Sequence, residues 1–260
     1  MMILMMILCL ALGVPSTSFA IEKYGRTAPA IDAPDEERIS GYLMVSVFAL
    51  NNSFAARPNN TGLTGSRYML HLERDVLNHR LTLFTDQNFL TDKTMGVAHV
   101  SEWDGTYGMR GSITPEYQWR LQYERDSGVD QDTISQSYAS LTVTRTWGAD
   151  WIDAYVGVGG LLYNNQYFAR PNNTGRALLN YIGHVDFHFL GKEWIPFVDA
   201  IALTDRNNSN VFSPTELDWI VGLAYRQENR EIAIFHEQDR PIDTRGLVQQ
   251  YLAIQLRYSF

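Results

Sequence analysis

The sequence predicts an all-β fold: a closed antiparallel transmembrane β-barrel of about twelve strands, built from an internal duplication of six. Three observations carry that expectation. Segments of ~10 residues alternate apolar and polar with period two, the mark of strands with two unlike faces. The connections between them alternate between short and long. And the string ARPNNTG occurs twice, at 56–62 and at 169–175, a self-similarity that bears on the whole architecture.

The shift of 113 positions reaches well beyond those seven residues. It lays Asn51 and Asn52 on Asn164 and Asn165, Tyr42 on Tyr155, and Tyr68 and His71 on Tyr181 and His184. Phe84 and Asp86 fall on Phe197 and Asp199, Glu124 and Asp126 on Glu237 and Asp239, Tyr138 on Tyr251, and Trp147 on Phe260. Around Glu102 and Asp104 it slips by one, onto Glu216 and Asp218, as a single loop insertion would cause. The mature chain reads as two copies of one unit, about 41–147 and 154–260.

Residues 1–20, MMILMMILCLALGVPSTSFA, form an apolar run ending in Ser18-Phe19-Ala20. This is the h-region and small-residue cleavage site of an expected signal peptide. It lacks a Lys or Arg n-region, which leaves the true start open, and a retained anchor is the rival reading. Cys9 lies inside the run, so cleavage after Ala20 leaves no cysteine for disulfides, a thiolate nucleophile or Cys-ligated zinc. Residues 21–40 mix Pro29, Pro34 and Asp35-Glu36-Glu37, the composition of a flexible periplasmic tail.

The net charge of −8, with no Lys/Arg cluster to offset it, argues against a nucleic-acid partner. Beyond Ala20 no apolar run approaches ~18 residues, so a membrane would be crossed by strands. The first copy supports strands at about 41–50, 66–75, 80–89, 102–113, 117–126 and 137–147. The second supports about 154–163, 178–189, 193–203, 216–227, 231–239 and 249–260. In the fourth, Trp103, Tyr107 and Met109 share one face, against Asp104, Thr106 and Arg110. In the fifth, Trp119, Leu121 and Tyr123 oppose Arg120, Gln122, Glu124 and Asp126. Six strands alone would leave two open edges, which lipid does not tolerate, so 41–260 is expected to be one closed domain.

The last strand sets Leu252, Ile254, Leu256, Tyr258 and Phe260 opposite Tyr251, Gln255 and Arg257, and ends in Phe. In this the chain resembles the bacterial outer-membrane β-barrel proteins, whose last strand typically closes on a terminal Phe with apolar residues at every second position before it. The resemblance covers the mature chain as architecture and the last strand as a motif. It implies residence in the Gram-negative outer membrane, lipid around the barrel, and recognition of Tyr258 and Phe260 by the barrel-assembly machinery.

With apolar faces toward lipid, the polar faces line the lumen. From the first half these are His71, Glu73, Asp86, Asp104, Arg110, Arg120, Glu124 and Asp126; from the second, His184, Asp186, Asp199, Asp218, Arg226, Glu237, Asp239 and Arg257. Carboxylates outnumber arginines, which favours cations in a pore. Eight strands are filled by side chains and 16–18 leave a channel, so twelve admit two readings. One is a porin-like passive channel for small polar solutes. The other is a plugged barrel serving as a structural or partner-binding scaffold. His71 and His184 are single positions without clustered ligand spacing, so hydrogen bonding is expected of them; neither metal nor cofactor is.

By strand count both ARPNNTG strings belong at the outer mouth. Pro, Asn-Asn and Gly are turn chemistry, and the plain reading is turns kept from an ancestral half. The functional one has Asn52, Arg57, Asn59 and Asn60, with Asn165, Arg170, Asn172 and Asn173, narrowing the mouth or touching solute. An enzyme is not expected. His99-Val100-Ser101 resembles the His-x-Ser arrangement of outer-membrane phospholipases by two residues, which makes a lipid hydrolase the second alternative. The sequence offers no convincing third group to orient the histidine, and the aligned stretch Phe212–Thr215 lacks the pair.

Overall fold

The computed structural model describes residues 39–51, 64–77, 80–92, 99–129, 136–164, 177–190, 193–205, 214, 216–241 and 249–260. The expected signal peptide, the tail to residue 38 and all eight mouth-loop residues lie outside them. Twelve strands run in order: β1 Ile39–Asn51, β2 Thr64–Val76, β3 Leu81–Asp92, β4 Val100–Ser112, β5 Tyr117–Gly128, β6 Gln136–Ala149, β7 Ile152–Asn164, β8 Ala177–Phe187, β9 Trp194–Asp205, β10 Glu216–Gln227, β11 Arg230–Pro241 and β12 Gln249–Ser259. Each pairs antiparallel with its sequence neighbours, and β1 pairs with β12 to close the barrel. Closure satisfies every edge, the condition for strands in hydrocarbon. At the seam Gly41 N donates to Phe260 O at 3.1 Å, and Phe260 N to Gly41 O at 2.9 Å.

Short turns gather at the end that holds the seam, where Leu77 and Glu228 turn the chain with φ of 53° and 50°. The longer connections gather at the other end. The outward face is apolar: Leu43, Val45 and Val47 on β1, Ile232 and Ile234 on β11, Ile254 and Leu256 on β12 are all exposed. At the short-turn end Tyr117, Trp147, Trp151, Trp194, Tyr258 and Phe260 are exposed too. That is an aromatic girdle, which suits the headgroup layer.

The inward face differs from the sequence expectation in one respect. It is not polar throughout: Tyr42, Met44, Phe48, Phe84 and Phe235 are buried inside the barrel. Phe48, Ala224, Ala233, Phe235, Tyr251 and Ala253 form one apolar cluster, with Phe197 and Ile220 against it. A barrel this narrow must fill much of its interior with side chains, and rings do so between the charges. Further departures are register shifts, five among the described pairs: between Phe48 and Leu50, Thr64 and Arg67, Leu90 and Thr91 (opposite Val100–Glu102), Ala139 and Ser140, and Ala177 and Asn180. Each breaks the two-residue alternation locally.

Candidate functional site

The lumen is organised by register. Reading across the first six strands at one level, the paired inward residues are Tyr42, His71, Asp86, Thr106, Glu124 and Tyr138. Across the second six they are Tyr155, His184, Asp199, Ile220, Glu237 and Tyr251. Five of the six positions carry the same residue. Because cross-strand partners stand side by side on one face, each row is a continuous band of neighbouring side chains.

The contacts recur with the residues. His71 Nδ1 lies 2.6 Å from Asp86 Oδ1, and its Nε2 lies 3.2 Å from Glu73 Oε2. His184 Nδ1 contacts Asp199 Oδ1 in the same way. Its Nε2 lies 3.1 Å from Asp186 Oδ1, within ion-pair distance. Tyr42 stacks on His71 at 4.8 Å and 16°, Tyr155 on His184 at 5.2 Å and 18°. An ionised carboxylate only accepts, so a histidine between two of them is best satisfied as the imidazolium, with both nitrogens donating. Each histidine is thus clamped between two acids, with a tyrosine ring over its face.

Arginines complete the network. Arg110 Nη2 donates to Glu73 Oε2 at 2.5 Å, and Arg120 Nη2 to Asp86 Oδ2 at 3.4 Å with its Cζ 4.0 Å above the Phe84 ring. Arg226 contacts Glu231 through Nε, and its Nη1 donates to Asp186 at 3.4 Å. Tyr138 and Thr106 hydroxyls donate to Glu124 Oε2 at 2.7 and 3.2 Å. Among the described residues no three His, Asp or Glu side chains converge as a metal-binding group.

Charge is sorted along the barrel axis. Toward the long connections, Glu102, Asp104, Asp126, Glu216 and Asp218 are buried on the inward face. Arg110, Arg120 and Arg226 lie toward the short turns. Of the lumen residues read from sequence, all with described side chains lie inward. Asp239 keeps its register place opposite Asp218, but its side chain is outside those described. Sequence reasoning passed over Arg67, Glu102, Glu216 and Glu231. The alternation that placed Asp104 and Asp218 would also have found Glu102 and Glu216, two residues earlier on the same face.

Ser101 takes part in the β4 bulge. It is 1% exposed, and its hydroxyl donates to Leu90 O at 3.4 Å. His99 is half-buried just ahead of β4.

Tyr42 and Arg257 from the β1–β12 seam, with His184, Asp199, Arg226 and Glu237 from the second half, line a single cavity of about 80 Å³. Residues of the two halves thus meet across the lumen. Arg257 lies 3.9 Å above the Tyr42 ring.

No protein-family model and no curated protein matches the sequence. Solved structures do match the fold. The Salmonella typhi outer membrane phospholipase (OMPLA) dimer with bound calcium aligns at TM-score 0.52 and 10% identity, over 86% of this chain and 93% of that one. LpxR from Salmonella typhimurium aligns at 0.50 and 12%, over 85% and 100%. KdgM porin is similar at 0.49 and 11%, over 85% and 99%. By its fold, the chain is a closed twelve-stranded antiparallel β-barrel, similar to those of bacterial outer-membrane proteins.

Proposed function

We propose that this protein is a narrow, porin-like passive channel for small polar solutes in the bacterial outer membrane. Residues 1–20 export it, and Tyr258 and Phe260 present its last strand to the assembly machinery. The observation that carries the reading is the cavity inside the closed barrel, walled by charged side chains of both halves. A barrel used only as a scaffold has no need of interior space lined by arginine and carboxylate. The acidic level toward the long connections gives that end a negative field, which favours cations at entry.

Single-channel recording of the refolded protein in a planar bilayer, under a salt gradient, tests this directly. Discrete steps with a reversal potential on the cation side support the channel. A plugged barrel is the second reading. It is favoured by Glu102, Asp104 and Glu124, each 0% exposed within the lumen. A silent bilayer, with protein that still shifts on unheated gels, would select it.

A further inference from the structure

The two halves of the lumen wall match in register, and the cavity lies at one mismatch between them. On β3, Phe84 shares the inward face with Asp86, and its ring lies over Gly108. Arg120 covers that ring, its Cζ 4.0 Å above the centroid, and reaches Asp86 Oδ2 at 3.4 Å. Arg110, the cross-strand partner of Arg120, holds Glu73. The matching places on β9 are Phe197 and Asp199, with Gly222 under the ring. Where Arg110 pairs with Arg120 in the first half, Ala224 pairs with Ala233 in the second.

Arg226, two residues beyond Ala224 on β10, takes over one of the two duties by holding Asp186, which stands to His184 as Glu73 stands to His71. Nothing among the described residues takes over the other. Asp199 keeps His184 as Asp86 keeps His71, but no guanidinium stands over the Phe197 ring. That ring is half-buried, and the cavity of about 80 Å³ opens beside it, walled by Phe197, Asp199 and Ala233. Its space corresponds to the place that the Arg120 side chain fills in the first half.

The ion pairs differ in the same sense. In the first half His71, Arg110 and Arg120 share Glu73 and Asp86, with more cations than acids. In the second, His184 and Arg226 share Asp186, Asp199 and Glu231, with more acids than cations. Arg257 neighbours Glu231 in register but leans the other way, onto the Tyr42 ring that covers His71. Arg67 is answered by Glu237 and Asp104. The second half therefore has an aromatic face and a carboxylate arranged for a flat cation that the wall itself does not supply.

Resting on the channel reading for the route in, we infer that the cavity binds a small organic cation of the guanidinium class. The Phe197 ring takes its face, as Phe84 takes that of Arg120, and Asp199 accepts its N–H groups. The volume suits several water-sized groups, enough for a guanidinium with a short substituent. The acidic level toward the long connections concentrates such cations at the entry.

The test is calorimetric titration of the refolded full-length protein in micelles with methylguanidinium and with methylurea, its uncharged isostere. Methylguanidinium is expected to bind saturably. Methylurea should bind about tenfold more weakly, because it brings no charge to the ring or the carboxylate. Ala233→Arg supplies the cation from the wall, so it should keep the unheated gel shift and abolish methylguanidinium binding. Phe197→Leu stays apolar but removes the ring face, and should weaken methylguanidinium about fivefold. Methylurea matching methylguanidinium, or either folded variant binding methylguanidinium like the parent, would overturn the inference; binding that survives both belongs to the acidic level. If Ala233→Arg does not fold, Phe197→Leu decides. Saturable binding by a barrel that is silent in the bilayer would sink the channel and keep the site. A conducting barrel that does not prefer methylguanidinium to methylurea would do the reverse.

Discussion

The ring of Phe197 on β9 lies directly over Gly222 on β10, so that a Cβ added to the glycine would stand 2.5 Å from the ring's Cζ and 2.8 Å from the carbonyl oxygen of Ile234. The same pairing joins Phe84 on β3 to Gly108 on β4, where the added Cβ would also meet Leu121 O at 2.6 Å. Each glycine clears the space in which an inward ring lies flat against the wall. Above Phe84 that ring supports Arg120, which in turn reaches Asp86.

Alanine at either glycine should therefore destabilise the barrel, by about 1–3 kcal/mol of overpacking. Part of the clash is with backbone oxygen, which cannot rotate away. The check is the temperature at which the unheated gel form is lost. Gly108→Ala should also displace Arg120 from Phe84, so Gly108→Ala with Phe84→Leu should recover part of the loss. Equal melting of parent and Gly108→Ala would refute the packing argument.

The two histidines predict an asymmetry. His71→Gln leaves Asp86 with Arg120 and Glu73 with Arg110, so its cost should be about 1–3 kcal/mol. His184→Gln leaves Asp186 with Arg226, but Asp199 loses the one ion-pair partner it has among the described residues. Breaking such a buried pair costs about 3–5 kcal/mol. Denaturant titration of both variants should rank His184→Gln as the more damaging, and the reverse order would refute it.

How far the sequence led can be judged from these same residues. The alternation on β4 and β5 places Asp104, Arg120, Glu124 and Asp126 inward, and the 113-residue shift pairs His71 with His184 and Asp86 with Asp199. What it could not convey was phase beyond a bulge. Arg67 follows the β2 irregularity, and Ser101 and Glu102 sit at the one opposite Leu90, where two successive side chains are buried. Nor did it show that Tyr42 and Tyr155 cover the histidines. An aromatic on a strand reads equally well as girdle or as lumen, and only register against His71 and His184 decides.

Phe260 closes the seam through both of its backbone groups, to Gly41 N and O. Deleting it removes two hydrogen bonds, each worth about 1 kcal/mol, and an exposed girdle ring. Folding in micelles should weaken only modestly. If the last strand is also what the assembly machinery reads, the yield of heat-shifting barrel in cells should fall much further than stability in vitro. Parallel losses in both settings would assign Phe260 a structural role alone.

The sorting of charge along the axis makes the last prediction. Asp104 and Asp218 occupy matching places on β4 and β10 toward the long connections. At ~8 Å in water a unit charge acts on a passing ion with about 0.5 kcal/mol, a little over twofold in local concentration. Each lost charge lowers the cation and raises the anion by that factor, so Asp104→Asn combined with Asp218→Asn should lower the cation-to-anion permeability ratio roughly 30-fold at low salt, read from the reversal potential. Screening shortens this reach at high ionic strength, so the difference from the parent should shrink toward 1 M salt. An unchanged ratio at low salt would mean that ions do not pass these carboxylates, and the acidic level would then belong to packing and not to permeation.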